Sequence, residues 1–231
     1  MSQLIWSDEF NYFGKPSNDW TQEIGNNNGY NYESQYYTDF NANVNGKYLT
    51  ILTERKNYLG FNYTSSRLVS KKNFTYGIFE MRAKLPKGRG TWPAFWLLIE
   101  NFTFIKNYVE IDIMEHVGFN PNNIVSAIHY KAYSKTYSKD AAKKINDSFD
   151  TFNTYKLDWN SQRIIIYVNN QEYLYYPNHN NTWSFDKPMN IIINNAVGGT
   201  WGGKHGIDNS IFPTKYAIDY IRVYAANESI A

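Results

Sequence analysis

The sequence predicts an all-β protein built as a sandwich of two antiparallel sheets. Short alternating or aromatic-rich runs recur along the chain, whereas helical periodicity is nearly absent. Turn-forming clusters separate these runs, for example at residues 25–29, 86–90 and 169–170. Short strands at this spacing, bounded by turns, are typical of a two-sheet sandwich.

Eight strands are predicted from these runs. They cover residues 47–53, 76–85, 109–114, 124–130, 155–159, 163–168, 189–194 and 217–224. One short helix is predicted around residues 139–145. Because no Pro- or Ser-rich linker interrupts the 231 residues, and a β-sandwich of this length need not be divided, the sequence predicts one domain over residues 1–231.

The composition excludes several classes of protein. The chain has no cysteine, so disulfides, zinc–thiolate sites and a cysteine nucleophile are not available. Its formal charge is only +2, with basic and acidic residues interspersed, which gives no basis for nucleic acid binding. No apolar run approaches the roughly 20 residues needed to cross a bilayer. No signal peptide is recognisable before residues 6–10, as expected if a leader has been removed.

Aromatic residues are in excess, and this excess favours a carbohydrate ligand. The chain has 21 Tyr, 14 Phe and 7 Trp, which together make 18% of the residues. Part of this reflects the preference of aromatic residues for strands. Most large aromatic side chains pack in the core, but exposed ones can stack on the apolar faces of sugar rings. We therefore expect a minority of the tryptophans to bind substrate.

Three carboxylates lie on one predicted strand, in the segment VEIDIMEHVG at residues 109–118. Alternation places Glu110 and Asp112 on one face of the strand and Ile111 on the other. Glu115 can join the acidic face only if one extra residue is accommodated before it. The spacing therefore predicts a β-bulge, and bulges are over-represented next to active sites.

Retaining glycoside hydrolysis needs such a group of acids. One carboxylate attacks the sugar while another protonates the leaving oxygen, with the two about 5 to 5.5 Å apart. Crowding and burial separate the pKa values of neighbouring carboxyl groups, so one can stay ionised while another keeps its proton. The spacing indicates this chemistry for Glu110, Asp112 and Glu115, but it leaves the order of their roles open.

Three segments together resemble glycoside hydrolase family 16, in the branch with a bulged catalytic strand that includes laminarinases and agarases. These are VEIDIMEHVG, GRGTWPAFWLL at residues 88–98 and NNAVGGTWGG at residues 194–203. The resemblance extends from WSDEF at residues 6–10 to DYIRVY at residues 219–224. It implies a β-jelly-roll sandwich with an open concave cleft, a monomer, and secretion or a periplasmic or cell-surface location. The family roles place the nucleophile at Glu110, the assisting acid at Asp112 and the acid/base at Glu115.

The same resemblance implies a sugar-binding cleft with several further residues. Trp92 and Trp96 are four residues apart, so on a strand they face the same side. The resemblance places both in the cleft, although two core indoles would give the same pattern. Trp201, in a glycine-rich segment, is expected to stack on a sugar, with a structural turn as the alternative. Arg67 is expected on the nucleophile side of the cleft, where its charge would favour an ionised carboxylate, or else on the surface.

Two more positions, Asn31 and His129, are candidate substrate contacts. Asn31 and Glu33 lie in a segment where relatives usually have two consecutive asparagines before the glutamate, but Tyr32 replaces the second asparagine here. His129, on the strand after the acids, is expected to contact Glu115 or a sugar hydroxyl. A satisfied structural histidine is the alternative.

The resemblance also implies a structural calcium ion, while no cofactor is expected for catalysis. The family positions correspond to Glu9, the carbonyl group of Gly46, and Asp219. These are oxygen ligands, which calcium prefers.

For the substrate, the sequence predicts internal cleavage of a polysaccharide, most closely that of an endo-1,3-β-glucanase. Alternatives are an endo-β-1,4-galactosidase or mucin-type glycanase, a mixed-linkage β-1,3-1,4-glucanase, and a non-catalytic glucan-binding lectin. Lectins related to the family typically lose the catalytic glutamates, and both are present here. Residues 101–109 read NFTFIKNYV, which departs from the Gly/Pro-rich approach common in relatives and weakens any transfer of linkage specificity.

Overall fold

The structure is a computed structural model that describes residues 2–99, 108–132, 135–178 and 183–226. Its strands in chain order are β1 (Leu4–Asp8), β2 (Phe13–Gly14), β3 (Trp20–Glu23), β4 (Gln35–Tyr37), β5 (Ala42–Asn45), β6 (Leu49–Tyr58), β7 (Phe61–Ser65), β8 (Arg67–Phe74), β9 (Gly77–Lys84), β10 (Thr91–Ile99), β11 (Val109–Glu115), β12 (Asn123–Ala132), β13 (Lys135–Lys144), β14 (Asn153–Trp159), β15 (Arg163–Val168), β16 (Gln171–Pro177), β17 (Met189–Val197) and β18 (Thr214–Tyr224). Two 3₁₀ turns, Asn27–Tyr32 and Asn209–Ile211, complete the regular elements of these ranges.

Two sheets form the sandwich within the described residues. A seven-stranded sheet has the order β13-β12-β11-β10-β17-β8-β3. An eleven-stranded sheet has the order β16-β15-β14-β9-β18-β6-β5-β2, with β1 beside β18 and the pair β4 and β7 attached through β6. In these ranges all pairs are antiparallel except β4 with β7. No helix of the described residues is long and apolar enough to span a membrane.

One predicted element is wrong. The residues expected to form a helix around 139–145 lie mostly in β13, which pairs antiparallel with β12 along its whole length. Tyr137 and Ala141 pack against the core, while Ser138 and Asp140 are exposed. The backbone hydrogen bonds between β13 and β12 outweigh the local helical preference of these residues. β13 is the edge of the seven-stranded sheet, where lysines protect an open edge from pairing with another chain.

The core lies between the two sheets and is filled by alternate side chains of the facing strands. β11 packs against β14 of the other sheet. Fully buried side chains include Phe79, Phe95, Ile111, Ile113, Leu157 and Ile193. Because the isoleucines of β11 point into this core, its acidic residues are directed to the opposite, outer face of the sheet.

The bulge predicted in the acidic strand is confirmed. On one side, Phe95 pairs with Met114 and Trp96 pairs with Asp112, so Ile113 is the extra residue. On the other side, the register to β12 also shifts between Asp112 and Glu115. The inserted residue lets Glu115 return to the face that carries Asp112.

Candidate active site

The outer face of the seven-stranded sheet contains a cavity of about 450 Å³. All nine residues expected in the catalytic centre and the sugar-binding cleft line it. They are Asn31, Arg67, Trp92, Trp96, Glu110, Asp112, Glu115, His129 and Trp201. These side chains come from four strands and two loops, so the fold gathers residues that are far apart in the chain.

The acids of β11 share a poorly solvated environment. Burial, and then the charge of Asp112, hold the pKa of Glu110 well above its usual range, while His129 and Tyr108 act in the opposite direction. Burial and then the charge of Glu115 raise the pKa of Asp112 well above its usual range. Burial also raises the pKa of Glu115. The cluster therefore keeps a proton at a pH at which a free carboxyl group has lost it.

The indole of Trp92 contacts Glu115, and a second indole packs on Trp92. The Nε1–H of Trp92 donates a hydrogen bond of 2.9 Å to Oε1 of Glu115. This bond orients the carboxyl group and opposes the rise of its pKa. Trp201 packs edge-to-face on Trp92 with ring centroids 5.5 Å apart. The loop that carries Trp201 comes this close because Gly202 has no Cβ, which would lie 2.8 Å from the Cβ of Trp92.

His129 lies directly opposite Glu110 in the β11–β12 ladder, but its ring approaches a different acid. Its Nε2 is 3.4 Å from Oδ2 of Asp112. The positive charge of a protonated imidazole would lower the pKa of both Glu110 and Glu115. The ring therefore influences all three acids rather than Glu115 alone.

A second group of side chains forms the wall on the β8 and β17 side. The Nε1–H of Trp96 donates to Oδ1 of Asn194 at 2.8 Å. The guanidinium group of Arg67 lies over the Trp96 ring, 4.9 Å from its centroid. Arg67 is 7% exposed and forms an ion pair of 2.7 Å with Glu23. Its charge lowers the pKa of Glu33, and its expected action on the nucleophile stays a prediction.

The end of the cavity near Asn31 is held by a network around Glu33. The carboxylate of Glu33 accepts hydrogen bonds from Gln35 at 2.7 Å and Asn31 at 3.4 Å. Burial nevertheless raises its pKa. Tyr32, which replaces the usual asparagine, is 84% exposed and is not one of the lining residues.

Six lining residues were missed or not assigned a role by the sequence reasoning. They are Glu33, Ala94, Leu98, Tyr108, Asn194 and Ala196. The alternation of side chains along a strand could have identified three of them. Ala94 and Leu98 face the same side as Trp92 and Trp96. Tyr108 faces the same side as Glu110 and Asp112. The alanines leave room for a ligand. Asn194 carries no local signal beyond its place in the NNAVGG segment.

The two carboxylates expected to bind calcium, Glu9 and Asp219, are paired with arginines. Both oxygens of Glu9 accept hydrogen bonds from Arg222, at 2.9 and 2.7 Å, which lower the pKa of Glu9. Asp219 forms an ion pair with Arg82. A site whose carboxylates are already neutralised by guanidinium groups does not fit a calcium ion in this arrangement, because the ion would have to displace both ion pairs. The backbone N–H of Gly46, with φ +81°, donates to Tyr12 at 2.7 Å.

The chemistry of the cavity is that of a hydrolase acting on glycosidic bonds. Paired carboxyl groups supply the acid and the nucleophile for this reaction. The indoles around them are suited to sugar rings.

Comparison with known proteins identifies the family. The chain belongs to glycosyl hydrolases family 16, whose sequence model matches residues 26–222. It is 41% identical over 242 residues to a β-glucanase of Rhodothermus marinus, covering 96% of this chain and 85% of that protein. It is 34% identical over 229 residues to a glucan endo-1,3-β-glucosidase of Cryptopygus antarcticus, covering 90% and 84%.

Among solved structures, the laminarinase of Rhodothermus marinus superposes with a TM-score of 0.92 at 40% identity, covering 99% of both chains. The expected β-jelly-roll sandwich is thereby confirmed.

Proposed function

We propose that the protein is a retaining endo-1,3-β-glucanase of the laminarinase type. The observation that carries this proposal is the placement of Glu110, Asp112 and Glu115 on the floor of one indole-walled cavity by the bulge in β11. The names of the relatives, a β-glucanase and an endo-1,3-β-glucosidase, support the choice of linkage.

The two steps of the reaction use Glu110 and Glu115 in succession. Glu110 attacks the anomeric carbon and forms a glycosyl ester, while Glu115 gives its proton to the departing sugar oxygen. Glu115, now ionised, then removes a proton from water, which attacks the ester and frees Glu110 with net retention of configuration. The elevated pKa of Glu115 suits it to the first step, and the Trp92 hydrogen bond stabilises the carboxylate needed in the second.

Asp112 and His129 balance the negative charge of the two glutamates during the reaction. Asp112 is 4% exposed and lies between the two glutamates along the strand. Its raised pKa allows it to hold a proton and to share it with its neighbours. The imidazole of His129 approaches Asp112 at 3.4 Å and limits the build-up of negative charge during the reaction.

An open cavity suits attack on internal bonds of a polymer. Trp92, Trp96 and Trp201 can stack on successive sugars, and binding energy obtained away from the reacting bond can be used to distort the central ring. A bent β-1,3-linked chain matches such a cleft.

We therefore expect laminarin to be cut to a ladder of short oligosaccharides, with viscosity falling before reducing ends accumulate. Chromatography of timed samples checks this result, and the Glu110→Gln variant, prepared identically, controls for contaminating hydrolases. Barley β-glucan, agarose and keratan-type glycans should be assayed in parallel. If laminarin and mixed-linkage glucan stay intact while a β-galactoside-containing glycan is cut, the linkage assignment fails.

The reaction is expected to need no metal ion. Glu9 lies next to β1 and Asp219 lies on β18, and both strands belong to the sheet opposite the acids. Full activity in excess chelator, measured on laminarin at low temperature, is therefore the expected result. Loss of turnover that calcium restores in a still-folded protein would contradict it. A rise of the melting temperature on adding calcium would show that the ion displaces Arg222 and Arg82. An unchanged melting temperature would show that the two arginines remain the partners of Glu9 and Asp219.

The chain would act as a single catalytic domain, as a monomer, and outside the cytoplasm, where its polymeric substrate is found. A leader directing export and a monomeric mass in solution are the corresponding expectations.

A further inference from the structure

Tyr108 belongs to the acidic row of β11, although it lies just before the strand. It is two residues before Glu110 and lines the same cavity. Its backbone is fixed, because the N–H of Lys131 donates to the Tyr108 carbonyl oxygen at 2.9 Å and continues the β11–β12 ladder. The phenol ring is therefore held at the end of the row next to Glu110.

The Tyr108 hydroxyl forms a hydrogen bond with the carboxyl group of Glu110. Burial and the negative charges of Glu110 and Asp112 raise the pKa of this hydroxyl, so it keeps its proton and can only donate to an ionised carboxylate.

The charged surroundings of Glu110 explain why a donor is needed there. Asp112 and Glu115 on the same strand both raise its pKa. From β12, His129 faces it, and Lys131 lies opposite Tyr108. From β10, the residues lining the cavity beside it are uncharged, namely Leu98 and Trp96. A nucleophile has to be ionised, and two neighbouring acids work against ionisation.

We propose that Tyr108 is a positioning residue for the nucleophile, whose hydroxyl orients the Glu110 carboxylate and favours its ionised form. This inference rests on the proposed function of Glu110. In the first step the hydrogen bond holds one oxygen so that the other points at the sugar. In the second step it stabilises the carboxylate that leaves when the ester is hydrolysed.

A substrate-free measurement tests the electrostatic part. The side-chain carboxyl pKa of Glu110 can be followed by ¹³C NMR in wild type and in Tyr108→Phe, with the resonance assigned by its loss in Glu110→Gln. Removing the donor should raise the Glu110 pKa by about one unit or more, because a hydrogen bond to the charged form favours that form. An unchanged Glu110 pKa in folded Tyr108→Phe overturns the proposal, whatever polymer the enzyme cleaves.

The kinetic part uses the polymer that the wild type cleaves. In Tyr108→Phe the acid limb of kcat/KM should move to higher pH, and kcat should fall about tenfold with little change in KM. Tyr137→Phe is the matched control, because Tyr137 stacks on Tyr130 in the core-facing layer and is not among the lining residues. Equal profiles for the two variants would refute the role of Tyr108. Absence of cleavage by the wild type would instead refute the proposed function, and the NMR result would still decide on Tyr108.

Discussion

Glu110→Gln and Glu115→Gln are each expected to reduce hydrolysis of laminarin by about 10² to 10⁴ or more, while the fold is unchanged. Loss of an acid/base or of a nucleophile removes one partner of a two-step reaction that needs both. Glutamine has nearly the same shape and keeps an acceptor oxygen, so the Trp92 bond to position 115 can still form. Circular dichroism and the melting temperature check the fold, and initial rates check the loss.

Added azide distinguishes the two glutamates. In Glu115→Gln the ester on Glu110 can still form from a substrate with a good leaving group, and azide then attacks it to give a β-glycosyl azide. In Glu110→Gln azide can only replace the missing nucleophile, which gives the α-product. Exchanged product configurations would show that the two roles are reversed. Glu172→Gln, at an exposed position of β16, is the matched control and should keep wild-type rates.

The alternation of side chains explains why so much of the acidic strand could be predicted. A strand with isoleucines buried on one face forces its acids to the other, and the position of Glu115 then requires a bulge. The same reasoning placed Trp92 and Trp96 together. In each case the residues belong to the same strand, β11 for the acids and β10 for the tryptophans, so their spacing in the sequence determines which face they share.

Contacts between strands were much harder to predict. The segment at residues 139–145 has no local pattern that reports its pairing with β12, so tertiary hydrogen bonds decided its conformation. The contacts of Arg67 with Glu23 and Trp96, which come from two other strands, were likewise not predicted. Register across a sheet is set by long-range packing, so the pairing of strands cannot be predicted from the local pattern of a single sequence.

Gly118→Ala is expected to be the most destabilising glycine substitution near the site, lowering the free energy of unfolding by roughly 3 kcal/mol or more. An added Cβ would lie 1.8 Å from the carbonyl oxygen of Gly88 and 2.5 Å from Oγ1 of Thr91. Both atoms are already fixed, because Thr91 donates to that carbonyl at 2.9 Å and Gly118 donates to the Thr91 carbonyl at 3.0 Å. The turn and the end of the acidic strand would have to separate.

Gly60→Ala provides the comparison that separates crowding from backbone strain. Gly60 has φ +87°, which alanine adopts at a cost of about 1–2 kcal/mol, but nothing lies within 4 Å of its added Cβ. Thermal or denaturant unfolding of the two variants should therefore give the larger loss of stability for Gly118→Ala.

Thr91 begins β10, and the next residue is Trp92, whose indole donates to Glu115. Displacing this strand end should also lower the kcat of the folded Gly118→Ala protein, whereas Gly60→Ala keeps it. A smaller loss of stability in Gly118→Ala than in Gly60→Ala would mean that the turn at Gly88 yields without disturbing the strand that positions the acid/base.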